Sequence, residues 1–327
     1  MTRLVDRSFL TEAKRNKNDE FYTQRVDIDR ELEHYEDRFR DKTVYCNTDC
    51  PIKSNFVRYF LDNFTRLGLR RLIATSYAAD GSSYGTYFSY TGNPDELTAL
   101  EAGNLTLLRG NGDFRSDECI SLLRESDVVV TNPPYSLLRE FVGYMESFEK
   151  DFLIIATVNA ITYKDIFRLI HEGKIWLGVG LGRDISGFIV PDHYELYGTE
   201  ARVNNRGERI VSTNNSLWLT NLDFERRHQK IPLVRTYEAN EAAYPHYDNL
   251  DGINIDKTKD IPSDWFGLMG VPITFLHKHN PDQFEIVGFR KGDDGKDLRI
   301  NGKAPYFRII IRRKCHFQKT TAPIDGA

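Results

Sequence analysis

Cysteine is scarce: four residues in 327, Cys46, Cys50, Cys119 and Cys315, with no C-x2-C pair among them. Cys46 and Cys50 are spaced C-x3-C, but no second Cys or His pair follows to complete a zinc set. Free thiols in a reducing cytoplasm are therefore expected, rather than a disulfide framework or a structural metal. His228, His277 and His279 have no metal-ligand spacing either. Long apolar runs are missing: the longest, at 152–158 and 309–311, fall far short of the roughly 18 residues of a membrane span. The opening stretch, Met1-Thr-Arg-Leu-Val-Asp-Arg, lacks the apolar core of a secretory signal. With 40% hydrophobic and 28% charged residues, the chain reads as a folded protein of one large domain or two of ordinary size.

No strong excess of either charge is present. The formal net charge is −4, which by itself argues mildly against a polyanionic partner. Its distribution is uneven: residues 202–235 carry about +4, residues 236–286 about −6 and residues 287–327 about +6. Two basic stretches could face a nucleic acid, and ordinary solvated charge is the alternative.

Taken in order, residues 29–39 are expected to form a surface helix and 43–46 a short strand. Ser54 is a helix N-cap candidate, with Phe56, Tyr59, Phe60 and Phe64 following at helical spacing. Strands are expected at 69–74, 105–108, 152–158, 175–179 and 217–222, and helices at 118–124, 136–148 and 163–171. Residues 80–104, rich in Gly, Ser and Tyr, read as an excursion or loose hairpin. This alternation implies an α/β fold: a parallel sheet with helices on its faces, joined by right-handed crossovers. A projecting hairpin is expected within 182–215, around Asn204-Asn-Arg-Gly207. The alternation stops near 235. A catalytic domain at 1–235 and a second portion at 236–327, with strands at 284–289 and 306–312, is the expected division.

The chemistry is concentrated where the apolar run Val128-Val-Val130 drops into Thr131-Asn-Pro-Pro-Tyr135. Each proline fixes its own φ and holds the preceding residue extended, so the turn is rigid before a ligand arrives. It lies at the carboxyl end of a strand, where open α/β sheets place their ligands. An aromatic exocyclic amine is a poor nucleophile, and its two N–H groups need acceptors. The Asn132 side-chain oxygen and the Pro133 carbonyl fit that need, Pro134 stiffens the turn, and Tyr135 offers a face for stacking. A tight turn that merely contains Pro-Pro is the structural alternative.

Further segments accompany it: Asp19-Glu-Phe-Tyr-Thr23, Tyr45-Cys-Asn47, Gly112-Asp-Phe-Arg115, Ile175-Trp-Leu-Gly-Val179, Gly187-Phe-Ile-Val-Pro191, His193-Tyr-Glu-Leu-Tyr-Gly-Thr-Glu-Ala-Arg202 and Met269-Gly-Val-Pro-Ile-Thr-Phe-Leu276. Together they resemble the EcoRI-type adenine-specific DNA methyltransferases of restriction-modification systems, over nearly the whole chain. The resemblance implies a class I, Rossmann-like methyltransferase domain with a mixed sheet. It also implies transfer from S-adenosylmethionine to adenine N6 in double-stranded DNA, with the target base flipped out. No metal is required. A monomer, GAATTC as the site, and protection from a cognate restriction endonuclease follow as expectations.

By motif position, Phe21, Tyr22 and Thr23 would close over the methionine end of the cofactor. Asn47 and Asp49 stand where the first strand ends, although no Gly-x-Gly loop follows. Tyr77, after the second strand, takes the ribose position without a carboxylate beside it, and Asp80 is slightly late. Asp113 and Phe114 match the position that contacts the adenine ring; an Asp-containing turn is the alternative. Arg202, Arg206 and Arg209 on the hairpin are candidates for base readout, and Arg312, Arg313 and Lys314 for phosphate contacts. Rival acceptors are cytosine N4, RNA adenine or a glutamine amide. A DNA-binding protein on a catalytically decayed methyltransferase fold is the rival of another class.

Overall fold

The computed structural model describes residues 21–78, 84–191, 201–212, 214–290, 297–305 and 307–314. Asp19, Glu20, Asp80, residues 193–200 of one motif and Cys315 lie outside the described residues. The chain divides into two compact units, Met1–Phe224 and Glu225–Ala327. The division falls earlier than 235 because the intervening residues bond into the second unit. The Ile231 N–H donates to Gln283 Oε1 at 2.8 Å, and Asn280 Nδ2 donates to the His228 carbonyl at 2.7 Å.

In the first unit the strands are β1 (Tyr22–Thr23), β2 (Thr43–Cys46), β3 (Arg71–Thr75), β4 (Thr86–Tyr90), β5 (Thr106–Leu107), β6 (Val128–Thr131), β7 (Asp151–Thr157), β8 (Trp176–Leu181), β9 (Phe188–Val190), β10 (Ala201–Val203), β11 (Arg209–Val211) and β12 (Ser216–Thr220). Its α-helices are α1 (Arg25–Leu32), α2 (Asn55–Asp62), α3 (Phe64–Leu67), α4 (Pro94–Glu101), α5 (Asp117–Glu125), α6 (Leu138–Ser147) and α7 (Lys164–His171). Eight strands form one mixed sheet in the order β5-β4-β3-β2-β6-β7-β12-β8. β2 lies between β3 and β6, parallel to both, and β6 pairs with β7 in parallel. β4 and β12 run antiparallel to their neighbours. The loops after β2 and β6 therefore leave the same edge of the sheet, side by side.

The residue pattern accounts for this frame. All four residues of β2 and of β6 are buried, as continuous apolar strands covered on two faces require. Ser54 caps α2, its hydroxyl accepting from the Phe56 and Val57 N–H groups at 3.1 and 3.4 Å. That helix buries Phe56, Val57, Tyr59 and Phe60 in a core shared with Val44, Leu72, Val128, Val130 and Trp218. The surface helix expected at 29–39 instead runs as α1 followed by a 3-10 stretch, Glu33–Arg38.

Residues 84–104 take the hairpin of the two expected readings, with β4 antiparallel to β3. They contain β4 and α4, and the latter starts at a built cap, where Asn93 Oδ1 accepts the Asp95 N–H at 3.0 Å with Pro94 next to it. Tyr87, Phe88 and Tyr90 make β4 a strand despite the surrounding Gly and Ser, since aromatic residues pack well on a pleated surface.

A second, four-stranded sheet runs β1-β9-β11-β10, wholly antiparallel. β10 and β11 form a hairpin turning at 204–208, where Asn204 Oδ1 accepts from the Arg206 and Glu208 N–H groups at 2.9 Å each. The second unit is built on a five-stranded sheet of β13 (His246–Tyr247), β14 (Leu250–Asn254), β15 (Leu268–Pro272), β16 (Phe284–Arg290) and β17 (Arg308–Arg313), in the order β13-β14-β15-β17-β16. Among the described residues no helix is long and apolar enough to cross a membrane, and no cluster of metal-ligating side chains occurs.

Candidate active site

β6 delivers Asn132 to the edge of the sheet, and the amide is oriented from the N-terminal side of the unit. Asn132 Nδ2 donates to the Phe21 carbonyl at 2.8 Å. That bond fixes which end of the amide is which. Oδ1 is left buried with no hydrogen-bond partner among the described residues. A buried acceptor in that state costs on the order of 1–3 kcal/mol until a donor reaches it. The Asn132 oxygen is thus the end of the amide left for an outside donor. Pro133 is buried beside it, and the Pro134 carbonyl is taken by the Leu137 N–H at 3.0 Å, which closes the turn.

Aromatic rings wall the turn. The Tyr135 and Phe21 rings lie nearly parallel, 6.4 Å apart at 19°, and Phe188 meets each edge-on, at 6.4 and 6.2 Å. Phe188 is almost wholly buried. Phe21 and Phe188 come from segments more than 150 residues apart that β1 and β9 bring into register, with Thr23 opposite Phe188. The sequence motif around Gly187 marked this segment but gave Phe188 no role.

The loop after β2 approaches the same turn. Asp49 is buried, and its Oδ1 accepts the Ser54 hydroxyl at 2.8 Å. The Thr131 hydroxyl lies against both Asp49 Oδ2 and the Asn47 carbonyl. Burial pushes the Asp49 carboxyl up to about 7, while the bonds from Thr131, Ser54 and Asn132 pull it the other way. Ser54 and Thr131 were not expected at the site. Asn47 Oδ1 and Thr23 Oγ1 are further buried oxygens with no partner among the described residues. Thr23 is joined to this region through its carbonyl, which accepts Asn55 Nδ2 at 2.9 Å.

The remaining candidates are distributed differently. Tyr77 is 46% exposed at the end of β3. Gly112, at φ +80, lets the loop before Asp113 run against the Ser76 carbonyl, a place where a Cβ would collide. The Asp113 carboxylate is held by Arg115, which donates from Nε and a terminal nitrogen at 2.9 and 2.6 Å and keeps the carboxyl below its usual range. The Phe114 ring is buried against Phe141 and Tyr144, at 5.1 and 5.7 Å.

On the hairpin, Arg202 is tied to Ser212 Oγ and the Ser186 carbonyl at 2.7 Å each, Arg209 is half-buried, and Arg206 stands exposed near the tip. In the second unit Arg312 bridges to Glu285 at 2.8 Å, Arg313 bonds the Ser263 carbonyl and covers the Phe266 ring at 4.9 Å, and Lys314 is exposed.

The turn and the rings around it stand at one edge of a mixed α/β sheet, and comparison with known proteins gives the class, a methyltransferase. The sequence profile described as "Adenine-specific methyltransferase EcoRI" matches residues 9–314, and the chain belongs to that family. It is 55% identical over 322 residues to the Type II methyltransferase M.EcoRI of Escherichia coli, covering 96% of this chain and 99% of that one. Two mycoplasma relatives follow. M.MgeORF184P of Mycoplasma genitalium is 35% identical over 92% of this chain and 98% of its own. M.MpnI of Mycoplasma pneumoniae is 34% identical over 94% and 98%. No solved structure matches. The chain is an adenine-specific DNA methyltransferase.

Proposed function

We propose that this enzyme methylates adenine N6 within a fixed site of duplex DNA, using S-adenosylmethionine, on a class I methyltransferase sheet. One observation carries the reading: Asn132 Oδ1 is a buried, oriented acceptor at the carboxyl end of a central strand. Asn132 holds one amino hydrogen of the base and the Pro133 carbonyl the other. Their neutrality and rigidity keep the amine lone pair directed at the transferred group without reorganisation. Tyr135 stacks on the extruded base, offsetting a few kcal/mol of unstacking.

When bound, S-adenosylmethionine supplies a methyl group on a sulfonium, a leaving group that needs neither a metal nor a covalent enzyme intermediate. The residues fit such a cofactor. Asn47 Oδ1 and Thr23 Oγ1 are buried oxygens able to accept from its ammonium and hydroxyl groups, and Tyr77 and Asp113 follow β3 and β5 at the same edge of the large sheet. Arg206 of the hairpin reads bases, while Lys314 and Arg313 hold phosphates. GAATTC is the proposed site, and its methylation protects it from a cognate endonuclease. The enzyme acts as a monomer, one strand at a time.

The test is a labelled transfer. The enzyme, unmethylated duplex DNA and methyl-labelled S-adenosylmethionine are incubated and the DNA is digested to nucleosides. Label is expected in N6-methyladenine. Label confined to cytosine or to protein would contradict the reading.

A further inference from the structure

Asp49 stands where the sequence places a cofactor ligand, yet its buried carboxylate is engaged from within the chain. Ser54 donates to one oxygen at 2.8 Å and Thr131 lies against the other, so each carboxylate oxygen has a partner within the chain. Thr131 is the last residue of β6, the point at which strand becomes acceptor loop. Ser54 is at the same time the cap of α2, which ties the clamp to a buried helix. Asn132 follows Thr131 directly, and its side-chain nitrogen is held by the Phe21 carbonyl.

We propose that Asp49 is a positioning residue for the acceptor turn, clamping Thr131 so that Asn132 Oδ1 keeps its aim, rather than a ligand of the cofactor. This rests on Asn132 being the group that holds the amine. The Thr131 hydroxyl also lies against the Asn47 carbonyl, on the same loop after β2 as Asp49. Small misplacement of a reacting group is costly: about 1 Å is worth roughly a hundredfold in rate.

Asp49→Asn, Thr131→Val and the double variant separate the two roles. Each is assayed with S-adenosylmethionine and a GAATTC duplex, by single-turnover transfer at saturating cofactor and by calorimetric titration of the cofactor alone. A positioning role lowers the single-turnover rate about 10- to 100-fold. It leaves the cofactor Kd within about threefold, the signature of an interaction that matters in the transition state rather than in binding. The double variant is then no slower than the slower single one, because both substitutions open the same clamp. A cofactor Kd weakened about tenfold or more, with the wild-type rate recovered at saturation, overturns the assignment, as do losses that multiply in the double variant. Should Asp49→Asn not fold, Thr131→Val alone must show the rate loss with intact cofactor binding; if it does not, Asp49 has no positioning role. Retention of the rate by Asn132→Ala would instead remove the amine reading itself, whatever Asp49 does.

Discussion

In the proposed mechanism Asn132 acts through orientation: its side-chain nitrogen donates to the Phe21 carbonyl, which leaves the buried oxygen as the group for the amine. A reversed amide would present a donor to a donor. The same logic of buried polar groups gives a pH prediction elsewhere. His279 lies partly buried in the second unit, with its Nε2 3.0 Å from the Phe284 carbonyl. Burial pushes its pKa down to about 4, opposed by that bond. An unfolded histidine titrates near 6.5, so the folded chain binds fewer protons below that value. Stability is fully present above about 6.5 and is lost as the pH falls toward 4. Between pH 7 and 5 the loss from this group is on the order of 2 kcal/mol. Thermal unfolding of His279→Gln should show a shallower decline over that range than the parent; an identical slope would contradict the assignment.

At the scale of elements, the small antiparallel sheet is sensitive to a single substitution. Gly187, at φ +120, enters β9 where a Cβ would stand 2.8 Å from the Val211 carbonyl and from Ser212 Oγ. Gly187→Ala should push β9 from β11, destabilise the fold by about 1–3 kcal/mol and shift Phe188 off the Phe21 and Tyr135 rings. Urea unfolding reads the first effect, and an unchanged midpoint would contradict it. The elements differ in how far local sequence announces them. β6 and its turn were legible because an apolar run and two prolines act locally. The cap of α2 was legible because Ser54 needs only the next three residues. β4 and α4 were only partly so: Gly, Ser and Tyr read as an excursion or loose hairpin, and it is pairing with β3 that makes residues 86–90 a strand. Long-range contacts were the least legible. Nothing near Asp49 signals that its carboxylate meets Thr131, and nothing near Phe188 signals Tyr135. Charge composition, likewise, does not tell an Arg202 bonded within its own sheet from an exposed Arg206.

For the whole molecule, a net charge of −4 must coexist with binding to a polyanion, so basic groups have to act locally. Arg206 and Lys314 should then fail differently. Arg206→Ala should cost about 1–3 kcal/mol on GAATTC and less on mismatched duplexes, whereas Lys314→Ala should weaken all duplexes alike and reduce the salt slope by about one. Fluorescence titrations across salt concentrations distinguish them, and equal losses on every duplex for Arg206→Ala would remove it from base readout. The proposed transfer depends on one oxygen, Asn132 Oδ1. The decisive measurement is therefore single-turnover transfer to a GAATTC duplex by Asn132→Ala at saturating S-adenosylmethionine. We predict a rate lowered by about a hundredfold or more, with cofactor binding intact. A rate within a few-fold of the parent would contradict the account.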